Sequence, residues 1–279
     1  MFNARSVANK LPELANLLST DRPALVCITE SWLNSSISNN ALTSDLNYSV
    51  FRKDRDDSYG GVCVLTNDDL FKAVPVILPT KYANLELVVV DIVNLQSKCR
   101  VFVCYRPPSN DSDRSAVQYS IEMCECIESL YPNNSTVIVC GDFNLPNINW
   151  TNIDVSVINN PTCSGIFLSL FLKYAFNQYV SEPTRLNYSS NTASTLDLVL
   201  CNDFNFVYNT TVTTPFSTSD HSIVNFSIAN SIKSTNVLSK SFDFRRADWA
   251  GITLYLNNID FKCKFEQCCD VASEFECFL

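Results

Sequence analysis

No stretch of this 279-residue chain approaches the roughly 20 consecutive apolar residues that a membrane-spanning helix needs. The first ten residues, MFNARSVANK, lack an apolar signal core, so no secretory address is expected. No G-x-S-x-G nucleophile elbow occurs, which removes the usual hydrolase route through an activated serine. There is no Walker-type loop and no G-x-G-x-x-G run to cradle a nucleotide phosphate. A zinc site would want several histidines or a C-x2-C pair, and His221 is the only histidine. Basic charge is also short: 20 Lys and Arg against 29 Asp and Glu give a net charge of −9. A protein that grips nucleic acid by charge alone would be basic. An enzyme that gathers carboxylates around a cation is still allowed, because the ion inverts the local field.

Hydrophobic residues make up 46% of the chain, enough for a sizeable core. The thirteen cysteines are odd in number, and most fall inside strand-like runs such as ALVCITE, GVCVLT, VFVCYR, VIVCG and LVLCN. That pattern reads as small buried hydrophobes in a reducing compartment. Leu11, Leu14, Leu17 and Leu18 fall at helical spacing. Residues 114–130 carry Val117, Ile121, Met123, Cys124, Ile127 and Leu130, an amphipathic helix, and residues 163–176 read as a buried one. LELVVVDIV and RVFVCYR form a strand pair across NLQSK, and TVIVC, TLDLVLC and SIVNFSI are further strands. Mixed order of this kind predicts packed α/β layers. After about residue 230 the chain turns polar, with ANSIKSTNVLSKS as a linker. Its tail holds Cys263, Cys268, Cys269 and Cys277 without zinc spacing. No internal repeat is present.

Five strand ends carry polar groups with chemical potential. ALVCIT stops at Glu30, VFVC at Tyr105 and Arg106, and TVIVC at Gly141, Asp142, Phe143 and Asn144. Asp197 lies within TLDLVL, and Asp220 and His221 precede the last strand. In layered α/β folds, ligand sites gather at strand ends, where rigid backbone meets solvent. Asp142 and Asn144 are two residues apart, so on an extended segment both face one object. The same residues are also good turn formers. Asp197 lies on an otherwise apolar strand, where a buried carboxylate needs a partner, and His221 is the one side chain whose unperturbed titration falls near neutrality. Carboxylates and amide oxygens suit a hard cation such as Mg2+. The chemistry they point to is metal-assisted phosphodiester hydrolysis, with Asp142 orienting or deprotonating water.

Asn3, Glu30 in ITESWL, Tyr105 in YRPP, then GDFN, STLDLVL and SDH occur in that order. Together they resemble the endonuclease/exonuclease/phosphatase superfamily, AP-endonuclease-like members included. NARSVANK, the PTR at Pro183–Arg185 and the FDFRRADW at Phe242–Trp249 bring the resemblance closest to the endonuclease domain of non-LTR retrotransposons. The resemblance implies a four-layer α/β sandwich, with two mixed β-sheets packed face to face between helices. It implies an endonuclease domain over residues 1–230. Residues 231–279 become a linker and a partial connector toward a reverse transcriptase that lies outside this chain. It implies Mg2+, or Mn2+, held by Glu30 with Asp220 beside it. Asn3, Tyr105, Asp142, Asn144, Asp197 and His221 become the catalytic set, with Asp197 orienting His221. Thr184, Arg185 and Arg106 become the substrate-binding residues. The partner is DNA, with no membrane, and the location is intracellular, nuclear when acting on DNA. Only Met1 and Phe2 precede Asn3, where the family has a full strand, so an exposed sheet edge and a loosened Asn3 are expected. Two alternatives stay open: a phosphatase or sphingomyelinase-like phosphoesterase of the same superfamily, and a non-catalytic remnant that binds a partner.

Overall fold

The structure is a computed structural model and describes residues 1–55, 59–95, 97–150, 152–187, 192–229 and 248–258. The chain divides into two compact units, Met1–Lys233 and Ser234–Leu279.

Two sheets dominate the first unit. In one, β1 (Phe2–Asn3) pairs in parallel with β2 (Leu25–Thr29). β2 pairs antiparallel with β4 (Val62–Asn67), and β4 with β3 (Tyr48–Lys53). The other sheet has six strands. Their spatial order is β5 (Ala73–Pro75), β6 (Leu87–Ile92), β7 (Cys99–Tyr105), β8 (Thr136–Asp142), β12 (Asp197–Cys201) and β9 (Asn177–Gln178). Only β7 and β8 run parallel, and a parallel pair needs a crossover. Helix α3 (Arg114–Ser129) supplies it, its N-terminus capped by Asp113 accepting from Ser115 and Ala116. Two hairpins complete the unit: β10 (Arg185–Asn187) with β11 (Thr192–Ser194), and β13 (Val207–Pro215) with β14 (Ser222–Ile228).

The period of two along each strand sorts side chains into layers. On β2, Val26 and Ile28 pack with Leu14 and Leu18 of α1 (Leu11–Thr20) and Leu42 of α2 (Asn39–Thr43). Cys27 points the other way, into the space between the sheets. On β8, Ile138 and Cys140 enter that same space, while Val137 and Val139 pack with α3 and with α4 (Cys163–Lys173). The result is helix, sheet, sheet, helix, the four-layer sandwich expected. The nine described cysteines are all buried and unpaired, as small apolar residues would be.

The sheet edge at Asn3 differs from expectation. Asn3 is fully buried. The Met1 ammonium donates to Val224 O at 2.8 Å, and Val224 N donates back to Met1 O at 2.9 Å. Two hydrogen bonds thus lay β14 along the short β1, and Phe2 stacks on Phe216 at 4.3 Å. The edge is thus covered by β14, from the far end of the domain.

Gly141 occupies the one place in β8 where a side chain cannot go. Its φ is +134°, and a Cβ would sit 1.9 Å from Cys104 O on the neighbouring strand. Backbone strain and overpacking then add, so Gly141→Ala is expected to destabilise by on the order of 3 kcal/mol. Urea unfolding followed by far-UV circular dichroism reads this as a lowered midpoint at unchanged slope.

In the second unit, α5 (Trp249–Asn257) is capped by Asp248, whose Oδ1 accepts from Gly251 N at 2.9 Å. The polar linker, most of FDFRRADW and the four tail cysteines lie outside the described residues. Among the described residues no helix is long and apolar enough to cross a membrane.

Candidate active site

Strand pairing alone brings the polar residues together. Because β1 and β2 are parallel, Asn3 and Glu30 leave the first sheet at the same end. In the second sheet Tyr105 is in register with Asp142, and Asp142 is opposite Asp197. The hairpin β13–β14 then returns Asp220 and His221 to this edge just before β14.

Asn3 joins the two sheets. Its Nδ2 donates to Glu30 Oε1 at 2.8 Å and to Asp142 Oδ2 at 2.9 Å. Its Oδ1 accepts from Arg5 N at 3.1 Å, so every polar group of the carboxamide is engaged. Glu30 sits in the left-handed region, φ 47°, a conformation that surrounding structure must impose. Its Oε1 also accepts from the Tyr105 hydroxyl at 3.1 Å, and among the described residues no hydrogen bond reaches Oε2. Burial, together with the negative charges of Glu30 and Asp142, pushes the Tyr105 phenol well above its ordinary range, so it stays a donor.

Asp142 is fully buried. Burial first, then the charge of Asp197, raise its carboxyl to about 7 against the opposing pull of His221 and Asn3. His221 is buried as well, and its Nδ1 lies 2.7 Å from Asp197 Oδ2 and 3.9 Å from Asp142 Oδ2. Burial alone would lower its pKa, but the charge and hydrogen bond of Asp197 outweigh this and raise it to about 9. At neutral pH the ring is therefore an imidazolium donating through Nδ1. Among the described residues Asp197 Oδ1 is buried with no hydrogen-bond partner. Asp142, Asp197 and His221 each bring a potential ligand atom within 4.8 Å of the others. The 2.7 Å contact between His221 and Asp197 leaves no room for an ion between those two atoms, so the pair is a hydrogen-bonded couple.

With this geometry in hand, comparison with known proteins is informative. Residues 99–225 match a family described as endonuclease-reverse transcriptase. Among curated proteins, none matches the chain in sequence. An AP endonuclease from Archaeoglobus fulgidus superposes with a TM-score of 0.63 at 14% identity, over 81% of this chain and 98% of that one. The endonuclease domain of TRAS1, a telomere-specific non-LTR retrotransposon, gives 0.58 at 17% identity, over 82% and 97%. The 3′ phosphatase NExo from Neisseria, bound to a product DNA hairpin, gives 0.63 at 14% identity, over 82% and 98%. Its fold is that of these AP-endonuclease-like structures. At these identities the structural likeness speaks for the fold.

The structure places four of the expected site residues as follows. Thr184 is fully buried, and its Oγ1 accepts from Leu196 N and Asp197 N, both at 3.1 Å. It fixes the start of β12. Arg106 is also buried: Nε donates to Ser120 Oγ at 3.0 Å, Nη1 to the Phe143 and Asn144 carbonyls, and Nη2 to Ser109 Oγ at 2.7 Å. It braces the loop after β8 from within. Asp220 is ion-paired on both carboxylate oxygens. It lies between Arg5 and Arg185, whose charges, with that of His221, hold its carboxyl below the usual range although burial acts the other way. Asn144 is not on an extended segment, because its φ is 48°. Its N–H turns back to Asp142 Oδ1 at 3.0 Å, and its Nδ2 donates to Arg106 O at 2.8 Å. The turn-forming reading of Gly-Asp-x-Asn thus describes the backbone here, and the Asn144 N–H holds Asp142 Oδ1.

Two residues escaped the sequence reading. Ser219 Oγ donates to Asn3 O at 2.7 Å and accepts from His221 N at 3.1 Å, tying His221 to the first sheet. The SDH triplet contained it, but a serine before an acid reads as an ordinary turn. Arg5 gave no signal, since its placement depends on a left-handed turn after Asn3.

Proposed function

We propose that this domain is a metal-dependent phosphodiesterase that nicks DNA, the endonuclease of a non-LTR retrotransposon whose reverse transcriptase belongs to the parent element. The observation that carries the reading is one buried cluster that pairs a carboxyl at about 7, Asp142, with an imidazolium at about 9, His221. A base and an acid whose values are pushed apart around neutrality are what phosphodiester hydrolysis asks for. The family match and the likeness to TRAS1 support the narrower assignment.

Asp142 accepts a proton from the attacking water as that oxygen bonds to phosphorus. The P–O bond to the leaving oxygen breaks, and solvent or His221 returns a proton to it. His221 Nε2–H faces charge developing on the phosphoryl oxygens while Asp197 holds the ring. Asn3 keeps Asp142 and Glu30 in fixed relation, and Tyr105 keeps Glu30 in place.

The donor set fits a hard cation. Among the described residues no hydrogen bond reaches Glu30 Oε2, and the chain's one histidine is bonded to Asp197. Glu30 would hold Mg2+ or Mn2+, which when bound would neutralise charge on the phosphate. Glu30→Gln is expected to abolish nicking and to weaken Mg2+ binding in calorimetry at least tenfold. Unchanged metal affinity in a folded Glu30→Gln protein would remove Glu30 as the ligand. Release of phosphate from a small phosphomonoester, with plasmid left supercoiled, would favour the phosphatase reading.

A further inference from the structure

Asp220 holds two guanidiniums at the mouth of the site. Arg5 Nη1 lies 3.0 Å from Oδ1, and Arg185 reaches Oδ2 through Nε and Nη2, both at 2.9 Å. The arginine side chains are 48% and 36% exposed. Ion pairs this open contribute only about 0–1 kcal/mol to folding. The backbone cost is comparable: Arg5 (φ 43°) and Ser6 (φ 81°) are both left-handed, at about 1 kcal/mol or more each. Folding stability therefore does not account for the arrangement.

Position does. Arg5 N is bonded to Asn3 Oδ1, Ser6 N to Glu30 O at 2.9 Å, and Lys10 Nζ to the carbonyls of Ala4 and Arg5. The turn that aims Arg5 is thus built on the catalytic cluster itself. Arg185 forms a backbone bridge with His221 and shares a cavity of about 220 Å³ with Asn144 and Ser109. A guanidinium has five N–H donors, so each arginine keeps donors beyond those aimed at Asp220. Two guanidiniums face the one carboxylate of Asp220, in a chain of net charge −9.

We propose that Arg5 and Arg185, aimed by Asp220, form a clamp for the DNA backbone phosphates that flank the one under attack. The clamp rests on the phosphodiesterase reading, and it explains how an acidic chain can seat a polyanion: by two placed forks instead of a basic surface. Asp220 is then a positioning residue for the arginines.

The test is binding of a short fluorescein-labelled duplex to the full chain in EDTA, by anisotropy, across a salt series. Arg5→Ala and Arg185→Ala are each expected to lower the slope of log affinity against log salt by about one and to weaken binding several-fold at low salt. Arg5→Lys and Arg185→Lys should keep the slope. Arg22→Ala, which breaks an exposed pair with Asp69, should match the parent in both respects. Where alanine costs the fold by circular dichroism, glutamine at the same position makes the same comparison. Slopes for the Arg5 and Arg185 variants equal to that of Arg22→Ala, or a parent that does not bind the duplex, would overturn the clamp. A parent that nicks plasmid with those equal slopes would keep hydrolysis and lose the clamp. A parent that never nicks, yet binds with an Arg5- and Arg185-dependent slope, would keep the clamp and lose hydrolysis.

Discussion

Asp142→Asn is expected to reduce plasmid nicking by on the order of 10² to 10⁴ while leaving the fold intact. The substitution is isosteric, and the amide oxygen can still accept from Asn3 Nδ2 or Asn144 N, the bonds that hold this side chain. What is lost is the proton acceptor. The parent's pH profile follows from the same group. Activity should rise as Asp142 deprotonates through about 7 and fall as His221 deprotonates through about 9. A cation at Glu30 would shift the acid limb downward. In Asp142→Asn that limb should vanish. An asparagine variant with parental rate would move the base elsewhere.

His221→Ala should cost a factor of about 10² or more in nicking if, as proposed, it removes the donor facing the phosphate. Its partner is testable without catalysis, because a single imidazole dominates the histidine NMR spectrum. That resonance should titrate near 9 rather than at the model-peptide value of 6.5. In Asp197→Asn it should fall back, with nicking reduced. Stability carries the same sign. A histidine whose folded pKa is raised contributes stability fully below about 6.5 and loses it as pH rises through about 9. Asp142 acts in the same direction at lower pH, since a raised carboxyl favours the folded state only while protonated. Thermal midpoints should therefore decline as pH rises from 6 to 9, and decline less in Asp197→Asn. A titration that Asp197→Asn leaves in place would break the couple.

The layers were legible because they rest on apolar periodicity. β6, β7, β8 and β12 are buried on both faces and read as continuous apolar runs, and α3 shows its stripe. β13 escaped notice: VYNTTVTTP is mostly exposed, so its faces carry no apolar contrast. The strand ends were legible too, since a polar residue closing an apolar run stands out, and Glu30, Tyr105, Asp142 and Asp197 all do so. Direction was not. Arg106 and Thr184 look like ligands in one dimension, and only tertiary packing turns the guanidinium onto two carbonyls and the hydroxyl onto two amides. Asp220 adjoins His221 in sequence, yet its partners are 215 and 35 residues away, which no local pattern reveals. Asn144 misled through an assumption of extended backbone that its left-handed φ breaks.

The central claim is that the Asn3–Glu30–Asp142–Asp197–His221 cluster hydrolyses a DNA phosphodiester. The most direct measurement is incubation of the purified full chain with supercoiled plasmid, with Mg2+ or with EDTA, beside Asp142→Asn. The account predicts open-circular plasmid with Mg2+, none with EDTA, and none with the variant. Plasmid that stays supercoiled with Mg2+ under a folded parent chain, or nicking equal in parent and Asp142→Asn, would contradict it.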